Sequence, residues 1–140
     1  MQLDHRRPKE GPVPSTLLIV DDDPINRAIL EQIFAPHDAI EQAEGGQEGL
    51  EKILADPLGL CAVLLDVMMP RMDGLTVVHR LAEAGLLDRL PVFLITAEAS
   101  DAVLREAYGL GVMDVIPKPV VPYLVLRRVQ SVVELFQARR

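Results

Sequence analysis

Four apolar runs in this chain each end in a residue suited to phosphoryl chemistry. Asp21, Asp22 and Asp23 stand directly after Leu17-Leu18-Ile19-Val20, and Asp66 closes Ala62-Val63-Leu64-Leu65. Thr96 closes Val92-Phe93-Leu94-Ile95, and a shorter fourth run leads to Lys118-Pro119. In a parallel α/β sheet the carboxyl ends of all strands lie on one edge, where ligands bind. Such a sheet would deliver an acidic cluster, a lone aspartate, a hydroxyl and an ammonium to one small pocket. Clustered carboxylates repel one another, and a divalent cation relieves the repulsion. Mg²⁺ favours carboxylate oxygens, a backbone carbonyl and retained waters. It also shields an incoming phosphoryl group that an aspartate nucleophile could not otherwise approach. The lysine and the threonine would bind the remaining phosphoryl oxygens. The nucleophile would be a carboxylate, forming an acyl phosphate.

Each residue alone has a plainer explanation. Asp21 to Asp23 could cap a helix, Asp66 could be a solvated loop residue, Thr96 could cap the following helix, and Lys118 could lie on the surface. Their joint occurrence, in order and each at the end of an apolar run, is what these explanations leave unaccounted for.

The elements that must position them are legible in outline. The first strand is expected over Leu17 to Asp21, and a helix from about Pro24, capped by an aspartate and stopped by Pro36. Its apolar positions Ile25, Ile29, Leu30 and Ile33 recur at helical spacing. A short, poorly written second strand spans Ala39 to Ala43. Gly45-Gly46 lead into a second helix with Leu50, Ile53 and Leu54 facing inward and Pro57 beyond its end. The third strand is Ala62 to Asp66, a loop covers 67–74, and the third helix runs from about Leu75 to Ala84. The fourth strand is Val92 to Thr96, and the fourth helix runs from Ser100, its cap, to Gly109 and Gly111. The fifth strand is Asp114 to Pro117, and a fifth helix starts near Val121 and runs toward the end of the chain. Strands alternating with helices imply a doubly wound α/β fold with a parallel sheet and right-handed crossovers. The first, third and fourth strands lack alternation, as strands buried on both faces do.

Composition narrows the classes. With 140 residues, 49% of them apolar, the chain is long enough for one domain with a sizeable core. Aromatics make up only 4% and there is no Trp, so that core is aliphatic. The net charge of −7 disfavours direct contact with nucleic acid or an anionic membrane. The single cysteine, Cys61, excludes an intramolecular disulfide and any Cys-based zinc site, and is expected to be a buried inert thiol. His5, His37 and His79 fall in different elements and indicate neither zinc nor a catalytic pair. No apolar run is long enough to span a membrane, and the polar N-terminus lacks the apolar core of a secretory signal, so cytoplasmic residence is expected. Residues 1–14, with Pro8, Pro12 and Pro14, are expected to form a flexible tail ahead of a domain over 15–140.

Over about residues 16 to 136 the chain resembles the receiver domains of two-component response regulators. The residues that carry the likeness are Leu17-Leu18-Ile19-Val20-Asp21-Asp22-Asp23-Pro24, Leu64-Leu65-Asp66-Val67-Met68-Met69-Pro70-Arg71-Met72-Asp73-Gly74, Ile95-Thr96-Ala97 and Lys118-Pro119. The resemblance implies a flavodoxin-like, five-stranded parallel sheet in the order 2-1-3-4-5 with helices on both faces. It implies that Asp66 accepts a phosphoryl group from a histidine kinase or histidine phosphotransfer protein, with no metabolite as substrate. Asp22 would bind Mg²⁺ directly, Asp21 mostly through water, and the backbone carbonyl of Met68 and Asp66 itself would complete the ligands. Thr96 and Lys118 would hold phosphoryl oxygens, and Lys118-Pro119 would be a cis peptide. Asp23 would cap the first helix, Gly74 would permit the turn after the third strand, and small Ala97 would leave the phosphoryl group access. Met68 and Glu98 occupy positions that tune phosphoryl lifetime in this family. Switching would act on the surface of the fourth helix, fifth strand and fifth helix, changing the affinity for a second copy or another partner.

The chain departs from the family pattern at Val115. Receivers usually carry Tyr or Phe there, three residues before the lysine, as a partner to the threonine in switching. At the far end, Leu126, Val129, Val133 and Phe136, flanked by Val125 and Val132, either bury the fifth helix against the sheet or extend it to pair with a copy of itself. An output domain, absent from this chain, is one expectation. The region Lys118-Pro119-Val120-Val121-Pro122 resembles receivers that precede cyclic-di-nucleotide output domains.

Two rival readings differ in the chemistry they assign. In a phosphatase of the haloacid dehalogenase type, the first strand also ends in Asp-x-Asp, and Asp21 would be the nucleophile. Such enzymes need a later acidic pair, for which only Asp114 stands near the fifth strand. In a pseudo-receiver, the same fold would dock partners without being phosphorylated.

Overall fold

The computed structural model describes residues 15–138, and the expected tail lies outside the described residues. Strands β1 (Thr16–Val20), β2 (Ala39–Ala43), β3 (Leu60–Asp66), β4 (Val92–Thr96) and β5 (Asp114–Pro117) alternate with helices α1 (Pro24–Phe34), α2 (Gly46–Ala55), α3 (Gly74–Glu83), α4 (Asp101–Leu110) and α5 (Pro122–Ala138). All pairings are parallel and the strand order is β2-β1-β3-β4-β5, as the resemblance implied.

Alternation along the strands sorts the aliphatic side chains into two layers. Leu18 and Val20 of β1 join Val63 and Leu65 of β3 and Leu94 of β4, under Leu50 and Ile53 of α2, Val77, Val78 and Leu81 of α3, and Ala107 of α4. Leu17 and Ile19 point the other way with Ala62, Leu64, Phe93 and Ile116, under Leu30 and Phe34 of α1 and Val125 and Val129 of α5. Every residue of β3 and β4 is buried. Near-continuous apolar runs are what a sheet covered on both faces requires.

Several details depart from the sequence-based expectations. Ile25 and Ile29 are exposed to 69% and 44%, so the buried seam of α1 is Leu30, Phe34 and part of Ile33. The helix starts past the end of β1, and its first turns therefore have no strand beneath them. Leu54 is half exposed, because it lies about 100° around the helix from Ile53, away from the sheet. A 3₁₀ turn, Pro57–Gly59, precedes β3, which begins two residues earlier than expected. The Asp56 carboxylate holds that turn by accepting from Gly59 N at 3.1 Å. β1 begins at Thr16 and stops at Val20, leaving Asp21 just beyond the strand. The C-cap of α4 is Gly111, in the left-handed region at φ 116°, whereas Gly109 lies inside the helix.

Candidate functional site

Register determines which residues meet. Val20 pairs with Leu65, Asp66 with Ile95, and Thr96 with Pro117, so each candidate residue sits at the carboxyl end of its strand or just past it. The turn after β1 is built by its own acids. Asp21 Oδ1 accepts from Asp23 N at 2.9 Å, and Asp23 caps α1 by accepting from Ile25 N at 2.9 Å. Asp23 therefore has the capping role expected of it. Arg27, one turn into α1, donates from Nη1 to the Asp21 carbonyl at 2.7 Å and from Nε to Gln42 on β2 at 2.9 Å.

After β3 the chain must turn over the end of the sheet within a few residues. The left-handed residue in that loop is Arg71, at φ 68°. Gly74 is a different case from the turn-former expected from sequence. Its φ is not positive, and a Cβ at Gly74 would overlap the Asp66 carbonyl and crowd Val67 Cα. Glycine is needed there because α3 starts against the backbone that carries Asp66.

Asp21 and Asp66 are buried, at 2% and 4% exposure, and Asp22 is exposed. One carboxylate oxygen from each can be chosen so that the three lie within 4.8 Å of one another. Lys118, which follows β5 and precedes a cis bond to Pro119, places Nζ 3.1 Å from Asp66 Oδ1 and 3.4 Å from Asp21 Oδ2. One ammonium thus faces two of the three clustered carboxylates. Burial, then the Asp21 charge, raise the Asp66 carboxyl above its ordinary range, while Lys118 and the Met68 amide pull it back. For Lys118, burial pulls downward, but the adjacent Asp66 and Asp21 carboxylates outweigh it, so its proton is held more tightly than usual.

The residues fit a hard divalent cation. Although Lys118 lies 3.1 Å from Asp66 Oδ1, the contact is off the direction of a hydrogen bond, and this buried oxygen has no hydrogen-bond donor among the described residues. An unsatisfied buried oxygen next to a surplus of negative charge, in an all-oxygen donor set, suits Mg²⁺ better than a softer metal.

Asp21, Asp22, Asp66 and Lys118 are therefore brought together. Thr96 is adjacent but engaged elsewhere. It is fully buried, and its Oγ1 accepts from Glu98 N at 3.0 Å and lies 3.4 Å from the Glu98 carbonyl. Met68 lies in the turn two residues beyond Asp66 with its side chain 60% exposed. Beside the acids, Asp21, Asn26, Ile29, Leu30, Ile95 and Lys118 help line a cavity of about 340 Å³ that continues along Pro119 and Val120. Arg27 was missed from sequence. Its only signal was a basic residue four positions after the Asp23 cap, a common placement on any exposed helix. Gln42 was missed for a similar reason, since β2 is too short and polar to show which face a residue takes.

A family model described as response regulator receiver domain matches residues 17–130. Response regulator MprA of Mycolicibacterium vanbaalenii is 40% identical over 110 residues, which are 76% of this chain and 45% of that protein. A probable cyclic di-GMP phosphodiesterase of Vibrio cholerae is 34% identical over 116 residues, 83% of this chain and 26% of that protein. The chain thus spans from about a quarter to under half of the length of these curated relatives. Among solved structures, a chain of the CheX-CheY-BeF3-Mg complex of Borrelia burgdorferi aligns with TM-score 0.78 at 31% identity, covering 86% of this chain and 90% of that one. A CheY-like receiver domain from Methanospirillum hungatei reaches TM-score 0.82 at 23% identity, over 91% of this chain and 99% of that one, and shows the fold alone.

Proposed function

This chain belongs to the response regulator receiver domain family, and on that footing we propose that it is a phospho-acceptor switch with Asp66 as the acceptor. The observation that carries the proposal is the buried Asp66 carboxylate, held 3.1 Å from Lys118 Nζ, with Asp21 and Asp22 beside it. Asp66 forms the oxygen–phosphorus bond, the phosphorus–nitrogen bond of a donor phosphohistidine breaks, and the donor imidazole leaves with a proton. Lys118 keeps the acceptor ionised and then neutralises a phosphoryl oxygen. Asp21, Asp22, Asp66 and the Met68 carbonyl would hold Mg²⁺, which supplies charge neutralisation at the phosphoryl oxygens when bound. Thr96 must turn its hydroxyl proton away from the Glu98 carbonyl to offer it to the phosphoryl group, so acceptance loosens the loop into α4. The magnesium and beryllofluoride named in the Borrelia complex belong to that complex, and they support the same ligands here.

The donor is a histidine kinase or a histidine phosphotransfer protein, and the switched surface is α4-β5-α5, on which a second copy or an output module docks. The domain is taken to extend over 15–140 and to reside in the cytoplasm; among the described residues no helix is long and apolar enough to cross a membrane. The phosphodiesterase relative supports an output of the cyclic-dinucleotide class in a longer protein. The chain acts on no metabolite.

Acetyl phosphate with Mg²⁺, followed by mapping of the modified aspartate, tests this reading. Label at Asp66 that disappears in Asp66→Asn is expected. Label at Asp21 would instead indicate a phosphatase of the haloacid dehalogenase type, and no label a docking module.

A further inference from the structure

α4 is the least firmly packed helix of the domain. Ala107 is its one fully buried residue, with Leu104 and Leu110 partly buried against the core. Two polar tethers hold it as well. Toward α3, Glu106 meets His79 at 2.7 Å. Toward β5, the Tyr108 hydroxyl donates to Asp114 Oδ1 at 3.0 Å and accepts from Val115 N at 3.1 Å. The other Asp114 oxygen lies 3.6 Å from Arg128 of α5. A single phenol therefore joins α4 to β5 and, through Asp114, to α5. Partial burial first, and then the Asp114 carboxylate, raise the Tyr108 phenol, so it remains a donor at neutral pH.

The position of this tether matters because of what lies on either side of it. Thr96 is one end of the β4–α4 connection, and its hydroxyl is bonded to Glu98. If Thr96 moves toward a phosphoryl group, the start of α4 is freed, and the far end of the helix is then held at Tyr108. Val115 cannot take this part with its side chain, which is aliphatic and 7% exposed in the core. Only its backbone N–H reaches α4.

We propose that Tyr108 is the positioning residue that latches α4 in its resting place, and that the phosphorylated state is reached by giving up the bonds of its hydroxyl to Asp114 and Val115. The proposal rests on Asp66 being the acceptor. An interaction present only in the resting state opposes switching, so its removal favours the switched state by the free energy of that interaction. One ordinary hydrogen bond corresponds to a shift of roughly threefold to tenfold.

The test measures beryllofluoride affinity in the presence of Mg²⁺ by calorimetry, together with amide hydrogen exchange over 101–110. The 140-residue chain is compared with Tyr108→Phe and Arg105→Ala, the latter removing only the exposed pair with Asp101 within α4. Tyr108→Phe is expected to bind beryllofluoride roughly threefold to tenfold more tightly and to exchange α4 amides faster before the ligand is added, with Arg105→Ala unchanged. If Tyr108 only adds stability, Tyr108→Phe melts earlier with its beryllofluoride affinity unaltered, and the latch is disproved. A parent that binds no beryllofluoride overturns the acceptor reading and the latch with it, whereas a binding parent with an unaffected variant overturns the latch alone.

Discussion

Asp66 is in an unfavourable setting in the unliganded chain. It is buried, has the Asp21 and Asp22 carboxylates beside it and the Lys118 ammonium against it, and has an oxygen without a hydrogen-bond donor among the described residues. If Asp66 is the acceptor proposed above, that strain is stability given up for function. Asp66→Asn keeps the shape and removes one of the repelling charges. In chelator at neutral pH it is expected to raise stability by about 1 kcal/mol, roughly 3 °C in Tm, while abolishing phosphoryl labelling. An unchanged or lower melting temperature would show that Lys118 already compensates the charge in full. Cys61 is the opposite case, a titratable group kept out of chemistry. Burial, and then the charge of Asp38 3.8 Å away, push its thiol to about 12. The native chain should therefore leave iodoacetamide unreacted at pH 8 over hours, and react with one equivalent once unfolded. Rapid labelling of the folded chain would refute the inert assignment.

At the scale of elements, the sheet was legible because strands buried on both faces are written as apolar runs, and each run here ends in a polar residue. Leu17 to Asp21, Ala62 to Asp66 and Val92 to Thr96 lie within two residues of the observed strands at either end. The partners of Thr96 were not legible, since a hydroxyl bonded to the Glu98 amide depends on loop geometry. Leu54 of α2, expected to face inward, is half exposed, and the apolar stripe of α1 is wider than its buried seam, with Ile25 and Ile29 exposed. Periodicity gives the direction of a side chain but not whether a strand lies beneath it. Gly74 shows the same limit. Sequence marked it as a turn glycine, yet its need arises from the nearness of α3 to the Asp66 and Val67 backbone. Gly74→Ala must push α3 away from that backbone, at a cost of about 1–3 kcal/mol. It is expected to lower Tm and, by displacing Asp66, to slow labelling by acetyl phosphate. Gly45→Ala, where an added Cβ meets nothing within 4 Å, serves as the comparison and should do neither. Equal behaviour of the two variants would refute the close-approach argument.

For the molecule as a whole, the site and the fold are coupled through charge. The chain carries −7 overall, and three of its acids converge at the end of the sheet. A cation that binds the folded state alone stabilises it by mass action, here about 1.4 kcal/mol at tenfold excess over Kd. The pH dependence follows from Asp66, whose carboxyl is raised in the folded chain above the ordinary 3.8. A raised group contributes stability that is fully present below its unfolded value and lost as pH climbs through its folded value. Without metal, Asp66 therefore becomes a burden between pH 3.8 and that raised value, and remains one at neutrality. Mg²⁺ acts in the reverse sense, because it needs the ionised carboxylates and competes with protons for them. The gain in Tm on adding Mg²⁺ should thus be several degrees at pH 7.5, shrink as pH falls toward 4, and vanish at pH 7.5 in Asp22→Ala. Thermal melts at paired Mg²⁺ and chelator conditions across that range measure it. A gain independent of pH, or one that survives in Asp22→Ala, would place the cation somewhere other than among these three carboxylates.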